Sequence, residues 1–192
     1  MSLVKQVTLI DYGAGNLLNV KRGFEHMGVE VKIATQADEL LKAERIVFPG
    51  VGAFPDAMQQ LQSQELVEAI KESALKKPFL GICLGMQMML DSSQEFTLTD
   101  GLGLIPGQVK KLPESDSNGI KMIVPHMGWA KIQPKNTAWQ DTPLALVPEE
   151  NAFYFVHSYY ADVQRAEDQL AVFDFGGHAI TAAIQKENLI GC

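Results

Sequence analysis

Cysteine is scarce in this sequence: its 192 residues hold two, Cys83 and Cys192. A disulfide-stapled scaffold is excluded. Free thiols suit a reducing compartment, and the expected location is cytoplasmic. Positive charge is also in deficit. Sixteen Lys and Arg face 23 Asp and Glu, giving a net charge of −7. Nucleic acid is therefore not an expected partner, because phosphate binding needs a basic surface. No apolar run reaches the roughly 18 residues of a membrane-crossing helix. Met1 to Lys5 lacks a secretory-leader pattern. No membrane association is expected. Gly13-Ala14-Gly15 lacks the third glycine of a dinucleotide fingerprint, so nucleotide binding is rejected. His126, His157 and His178 form no metal-spaced cluster with each other or with the cysteines, and neither a metal nor a cofactor is expected.

What is present suits one globular domain. Hydrophobic residues make up 46% and charged residues 20%, enough apolar material for a sizeable core. The first half alternates strand and helix signals. Gln6 to Tyr12 reads as a strand, and Leu17, Val20, Phe24 and Met27 recur at helical spacing until Gly28. Val29, Val31 and Ile33 alternate as a strand does. Thr35 with Asp38 resembles a capping box. Arg45 to Phe48 is a strand closed by Pro49-Gly50. One helical stretch is expected from about Pro55 to Lys76. Phe79 to Ile82 is a strand, and Met86 to Leu90 starts a buried helix. This rhythm argues for an α/β fold with a parallel sheet covered on both faces. The second half reads differently. Pro113 to Gly119 is a polar loop, Ala152 to Tyr160 and Leu170 to Phe175 are strands, and mixed or antiparallel pairing is expected.

Gly81-Ile82-Cys83-Leu84-Gly85 fits G-x-C-x-G at a strand-to-helix junction, the cysteine form of the nucleophile elbow. Such a turn is tight and strained, and its flanking positions must be small. The helix N-terminus behind Cys83 is expected to lower the thiol pKa. The Leu84 N–H would point at the oxyanion of a tetrahedral intermediate. A buried structural cysteine in a glycine turn fits the bare motif equally well. The strand before and the helix after favour the nucleophile. Pro49-Gly50-Val51-Gly52 follows a strand and could turn backbone N–H groups toward an anion, or could be a plain strand-end turn. A lone His157 at a strand end more often plays a structural part than a catalytic one.

Five motifs occur in order: Ile10-Asp11-Tyr12-Gly13-Ala14-Gly15-Asn16, Pro49-Gly50-Val51-Gly52-Ala53-Phe54, Gly81 to Gln87, Pro125-His126-Met127-Gly128-Trp129, and Phe153 to Tyr159. Together they resemble the glutaminase subunit family of imidazole glycerol phosphate synthase, within the class I glutamine amidotransferases. The resemblance spans the chain, 1–192, as a single amidotransferase domain. It implies a flavodoxin-like, mixed but mostly parallel sheet with helices on both faces. It implies that Cys83 attacks the amide of glutamine to give a thioester and ammonia, with Val51 and Leu84 as the oxyanion hole. Gly50, Gly52, Gln87, Glu95, Ser158 and Tyr159 would hold the substrate. Asn16, His126, Met127, Gly128 and Trp129 would face a (β/α)₈-barrel cyclase subunit that uses the ammonia in histidine biosynthesis.

Two departures stand out. The family pattern leads from a glycine into His-Pro-Glu, the general base and its orienting carboxylate. Here Asn188 to Cys192 reads as the lead-in and the sequence ends, so the domain is expected to be truncated and weak or inactive as a glutaminase. Ala130 stands where the family commonly has Asn. A paralogue feeding another synthase is one alternative. A stand-alone γ-glutamyl hydrolase and a non-catalytic docking subunit are the others.

Overall fold

The computed structural model describes residues 5–135, 138–148 and 151–192. The chain runs β1 (Gln6–Ile10), α1 (Leu17–His26), β2 (Glu30–Ala34), α2 (Ala37–Lys42), β3 (Ile46–Gly50), α3 (Phe54–Ser63), α4 (Val67–Ala74), β4 (Phe79–Cys83) and α5 (Leu84–Met88). A strand-rich half follows: β5 (Ser92–Ser93), β6 (Thr99–Asp100), β7 (Gly107–Lys111), β8 (His126–Lys131), β9 (Gln133–Pro134), β10 (Ala152–His157), β11 (Tyr159–Val163), β12 (Gln169–Phe175), β13 (His178–Lys186) and β14 (Leu189–Gly191).

The central sheet has eight strands in the order β2-β1-β3-β4-β14-β13-β12-β9. Neighbours from β2 to β14 pair in parallel, and those from β14 to β9 pair antiparallel. The alternation of side chains across a strand divides the packing. Val7, Leu9 and Val47 face α1 through its Leu17, Val20 and Phe24. Ile10, Ile46 and Phe48 face the opposite way, into the cluster built by α2 to α5. The sheet is thus covered on both faces, as the strand–helix rhythm predicts. A second core of Leu112, Ile132, Trp139, Phe173, Phe175 and Ile180 fills the antiparallel half.

Several local readings shift. The capping box before α2 lies one residue later than Thr35/Asp38: the Glu39 carboxylate accepts from the Thr35 and Gln36 amides at 2.8 and 3.1 Å. β3 runs through Pro49 and Gly50 instead of ending before them. The single helix expected from Pro55 to Lys76 is two, because the chain breaks at Glu65 with φ +57°. Ala152 to Tyr160 is not one strand. At Ser158 the chain leaves the ribbon with β8 and joins a separate four-stranded sheet as β11. No described helix is long and apolar enough to cross a membrane.

Candidate active site

The parallel strands β3, β4 and β14 end together, at Gly50, Cys83 and Gly191-Cys192. In such sheets the crevice beyond the carboxyl ends of the strands is where ligands bind. Gly50 stands opposite Cys83 in the β3–β4 register. On the other side, the Cys83 amide donates to the Cys192 carbonyl at 2.6 Å, and the Cys192 amide donates to the Gly81 carbonyl at 3.0 Å.

Sterics dictate the elbow. Cys83 sits at φ +56°, ψ −117°, a conformation that is strained for any side-chain-bearing residue. Gly85 admits nothing larger, since a Cβ there would lie 1.8 Å from the Phe48 carbonyl oxygen. At Gly81 a Cβ would lie 2.8 Å from the Met86 backbone. Both glycines of the motif are therefore close-approach residues, as the sequence predicts.

The electrostatics differ from the sequence expectation. Cys83 is exposed as a residue, yet burial of its thiol raises the pKa, and the backbone N–H of Leu84 only partly counters this. Helix α5 has five residues, too short to sum a strong dipole. Burial therefore opposes a preformed thiolate here. The thiol needs a proton acceptor when it attacks.

A cavity of about 350 Å³ opens beside Cys83, lined also by Gln87, Phe155, His157, Tyr159 and Cys192. Gln87, buried on α5, donates through Nε2 to the Tyr159 carbonyl at 3.1 Å. Glu95, Ser158 and Tyr159 meet in a neighbouring cleft of about 500 Å³ with Lys111 and Lys121. Tyr159 belongs to both spaces, so the structure brings Gln87, Glu95, Ser158 and Tyr159 around one region. The Glu95 carboxylate accepts from the Phe54 amide at 2.8 Å. That bond ties Glu95 to the segment just after Gly52, whose φ is +99°. Val51 is half-exposed at the tip of this loop. Asn16 caps α1, accepting from the Asn19 amide at 3.3 Å. Its neighbour Gly15 abuts Pro49, with a Cβ position 3.7 Å from the proline ring.

The ribbon β8–β10 has two faces. Met127 and Trp129 face outward beside Val156 and Tyr154, all four exposed, and the Trp129 and Tyr154 rings meet edge to face at 5.8 Å. His126 turns inward and stacks on Phe173 at 5.3 Å. Ala130 also faces inward, onto the second core.

Two groups outside the sequence-derived site lie close to it. His157 lines the Cys83 cavity. Its Nδ1 is 2.8 Å from the Tyr159 carbonyl, so Nδ1 carries the proton and Nε2 is left as a buried lone pair without a partner among the described residues. Desolvation lowers its pKa, the Tyr159 bond partly restores it, and His126 lowers it again. The second group is Tyr12, fully buried, whose hydroxyl also has no hydrogen-bond partner among the described residues. A histidine closing the apolar run Phe155-Val156 hints at a site, whereas nothing local marks Tyr12.

The sequence pattern described as glutamine amidotransferase class-I matches residues 8–192. The chain is 42% identical to the imidazole glycerol phosphate synthase subunit HisH 1 of Legionella pneumophila strain Lens, over 98% of this chain and 90% of that one. It is also 42% identical to the HisH subunit of Nitrosospira multiformis, over 95% and 86%. Among solved structures, PurLQS from Thermotoga maritima superposes with a TM-score of 0.69 at 19% identity, over 98% of this chain and 86% of that one. A crystal structure of a glutamine amidotransferase gives 0.66 at 12%, over 96% and 87%. At these identities the superpositions establish the fold, a strand–elbow–helix α/β layer of the amidotransferase type. The chain belongs to the class I glutamine amidotransferases and, within them, to the family of imidazole glycerol phosphate synthase HisH subunits.

Proposed function

We propose that this chain is a glutaminase subunit that releases ammonia from glutamine and delivers it to a (β/α)₈-barrel cyclase making imidazole glycerol phosphate. The observation that carries the reading is the strained Cys83, seated opposite Gly50 with the Leu84 N–H beside its sulfur, in a chain of this family. The Cys83 sulfur attacks the carboxamide carbon. The carbonyl oxygen becomes an oxyanion held by Leu84 and Val51 N–H groups, ammonia departs, and water cleaves the glutamyl thioester to glutamate. Gly50 and Gly52 let the loop approach closely. Gln87, Glu95, Ser158 and Tyr159 surround the amino-acid end, with the Glu95 carboxylate available to an ammonium group.

Proton transfer is the demanding step, because burial opposes ionisation of the thiol. None of the four histidines is followed by proline, so the His-Pro-Glu pair of the family pattern is not in this sequence. Among the described residues, the imidazole in the cavity is that of His157. Docking would use the outward face of β8–β10, with Met127 and Trp129 at its centre. Ala130 faces away from that surface, so its departure from the family pattern leaves the outer face unaltered.

The test is ammonia release from glutamine by the purified protein, alone and with a barrel subunit. Activity that rises with the barrel and vanishes in Cys83→Ser supports the reading. Barrel binding with no ammonia release would overturn the glutaminase reading and leave a docking subunit in its place.

A further inference from the structure

The hydroxyl of Tyr12 has no place in the chemistry above, yet it is buried at the site without an acceptor among the described residues. The residue is 0% exposed. Its backbone carbonyl is held by Gln64 Nε2 at 2.9 Å, and its ring packs on Phe48 at 5.6 Å. The hydroxyl is therefore fixed in place. A Cβ added at Gly50 would lie 2.8 Å from it and 2.8 Å from the Gly85 amide. The oxygen thus abuts the end of β3, beside the elbow, and couples electrostatically to Cys83. A buried hydroxyl without a partner costs about 1–3 kcal/mol, so a sequence keeping tyrosine instead of phenylalanine here needs an acceptor for it.

Topology names one. In the sheet β3 lies between β1 and β4. Tyr12 follows the end of β1, Cys83 ends β4, and Gly50 ends β3 between them. A peptide unit is planar and trans, so the Gly50 carbonyl and the Val51 N–H point in opposite directions. A turn of this unit that sends the carbonyl toward the β1 side sends the N–H toward the β4 side. Glycines at 50 and 52 leave the backbone free to make that turn, and a Cβ at Gly52 would meet nothing within 4 Å.

We propose that Tyr12 is a positioning residue for the oxyanion loop: its hydroxyl donates to the Gly50 carbonyl when the Gly50–Val51 peptide is turned with its N–H toward Cys83. Tyr12 touches no substrate and acts through the loop. The inference rests on the glutaminase reading, and its test separates the two.

The experiment compares the protein with Tyr12→Phe, which keeps the ring and its packing. Two probes of Cys83 are used, with Cys192→Ser in both backgrounds to leave one thiol. A chloroketone analogue of glutamine needs the substrate pocket and the oxyanion donors. Iodoacetamide needs only the thiol. The expected result is chloroketone labelling slowed about three- to tenfold in Tyr12→Phe, one hydrogen bond's worth. Iodoacetamide labelling and the melting temperature should not fall. Equal chloroketone rates, or both rates falling together, would overturn the role. Failure of the chloroketone to label Cys83 in the tyrosine-bearing protein would overturn the glutaminase reading itself, and this inference with it.

Discussion

The amide of Cys83 donates to the carbonyl of Cys192 at 2.6 Å, so the elbow is laced to the end of β14 as well as paired with β3. That lacing holds Cys83 at φ +56°. Holding a non-glycine residue there costs about 1–3 kcal/mol. Cys83→Gly should abolish thioester chemistry yet raise stability by about 1 kcal/mol, or about 2–4 °C in melting temperature. Thermal denaturation checks this, and a lower melting temperature would refute the strain assignment.

Gly85→Ala should fail structurally. Its Cβ would sit 1.8 Å from the Phe48 carbonyl oxygen, a clash that only backbone movement relieves. A loss above about 4 kcal/mol is expected, read as insolubility or a collapsed denaturation midpoint. A variant that folds with unchanged stability would show that β3 and α5 are not in close contact.

Acid should weaken the antiparallel half. Burial lowers the pKa of both His126 and His157, so the fold favours their neutral forms. The unfolded chain binds more protons near and below its ordinary histidine pKa of about 6.5. The stability is present above that value and is lost as the pH falls through the depressed folded pKa values. Melting temperature measured from pH 7.5 to 5 should therefore decline. In His126→Phe, whose ring can take over the stack on Phe173, the decline should be smaller. An identical slope in the variant would exclude His126 as a contributor.

The Cys83 thiol should react slowly with small alkylating agents at neutral pH, because burial raises its pKa. In a Cys192→Ser background, the iodoacetamide rate should climb about tenfold per unit until the pH passes that of an ordinary thiol. A plateau already reached by pH 7 would show a preformed thiolate.

Trp129→Ala and Tyr154→Ala should leave the isolated protein within about 0.5 kcal/mol of its normal stability, since both side chains are exposed. Each should weaken binding of a barrel subunit about 30-fold or more, the scale of an aromatic hot spot. Titration calorimetry decides, and unchanged affinity would move the docking surface elsewhere.

How much of this was legible beforehand follows contact range. The elbow could be read because Gly81, Cys83 and Gly85 fall within five residues and each glycine meets backbone directly. The two-faced sheet followed from local periodicity. The break at Ser158 could not be read, because Phe153 to Tyr160 is one continuous β-rich run that fits a single strand. The direction of the Cys83 pKa is not legible in the motif, because desolvation depends on groups distant in sequence, including Tyr159 and Cys192 in the shared cavity. Tyr12 was invisible as a functional group for the same reason: its relation to Gly50 spans two strands and an intervening helix pair.

The two margins of the central sheet carry a consequence for assembly. One margin is β2, whose Glu30 and Lys32 are exposed. The other is β9, two residues long and ending in Pro134, which has no amide hydrogen to offer. Neither margin invites another chain to add a strand. A neighbour that presses on side-chain surfaces instead leaves the hydrogen-bonded ladder of β3, β4 and β14 undisturbed as it comes and goes. An engineer seeking fibres or strand-swapped dimers from this scaffold would have to rebuild a margin first. One seeking a new docking companion would need to change only outward side chains.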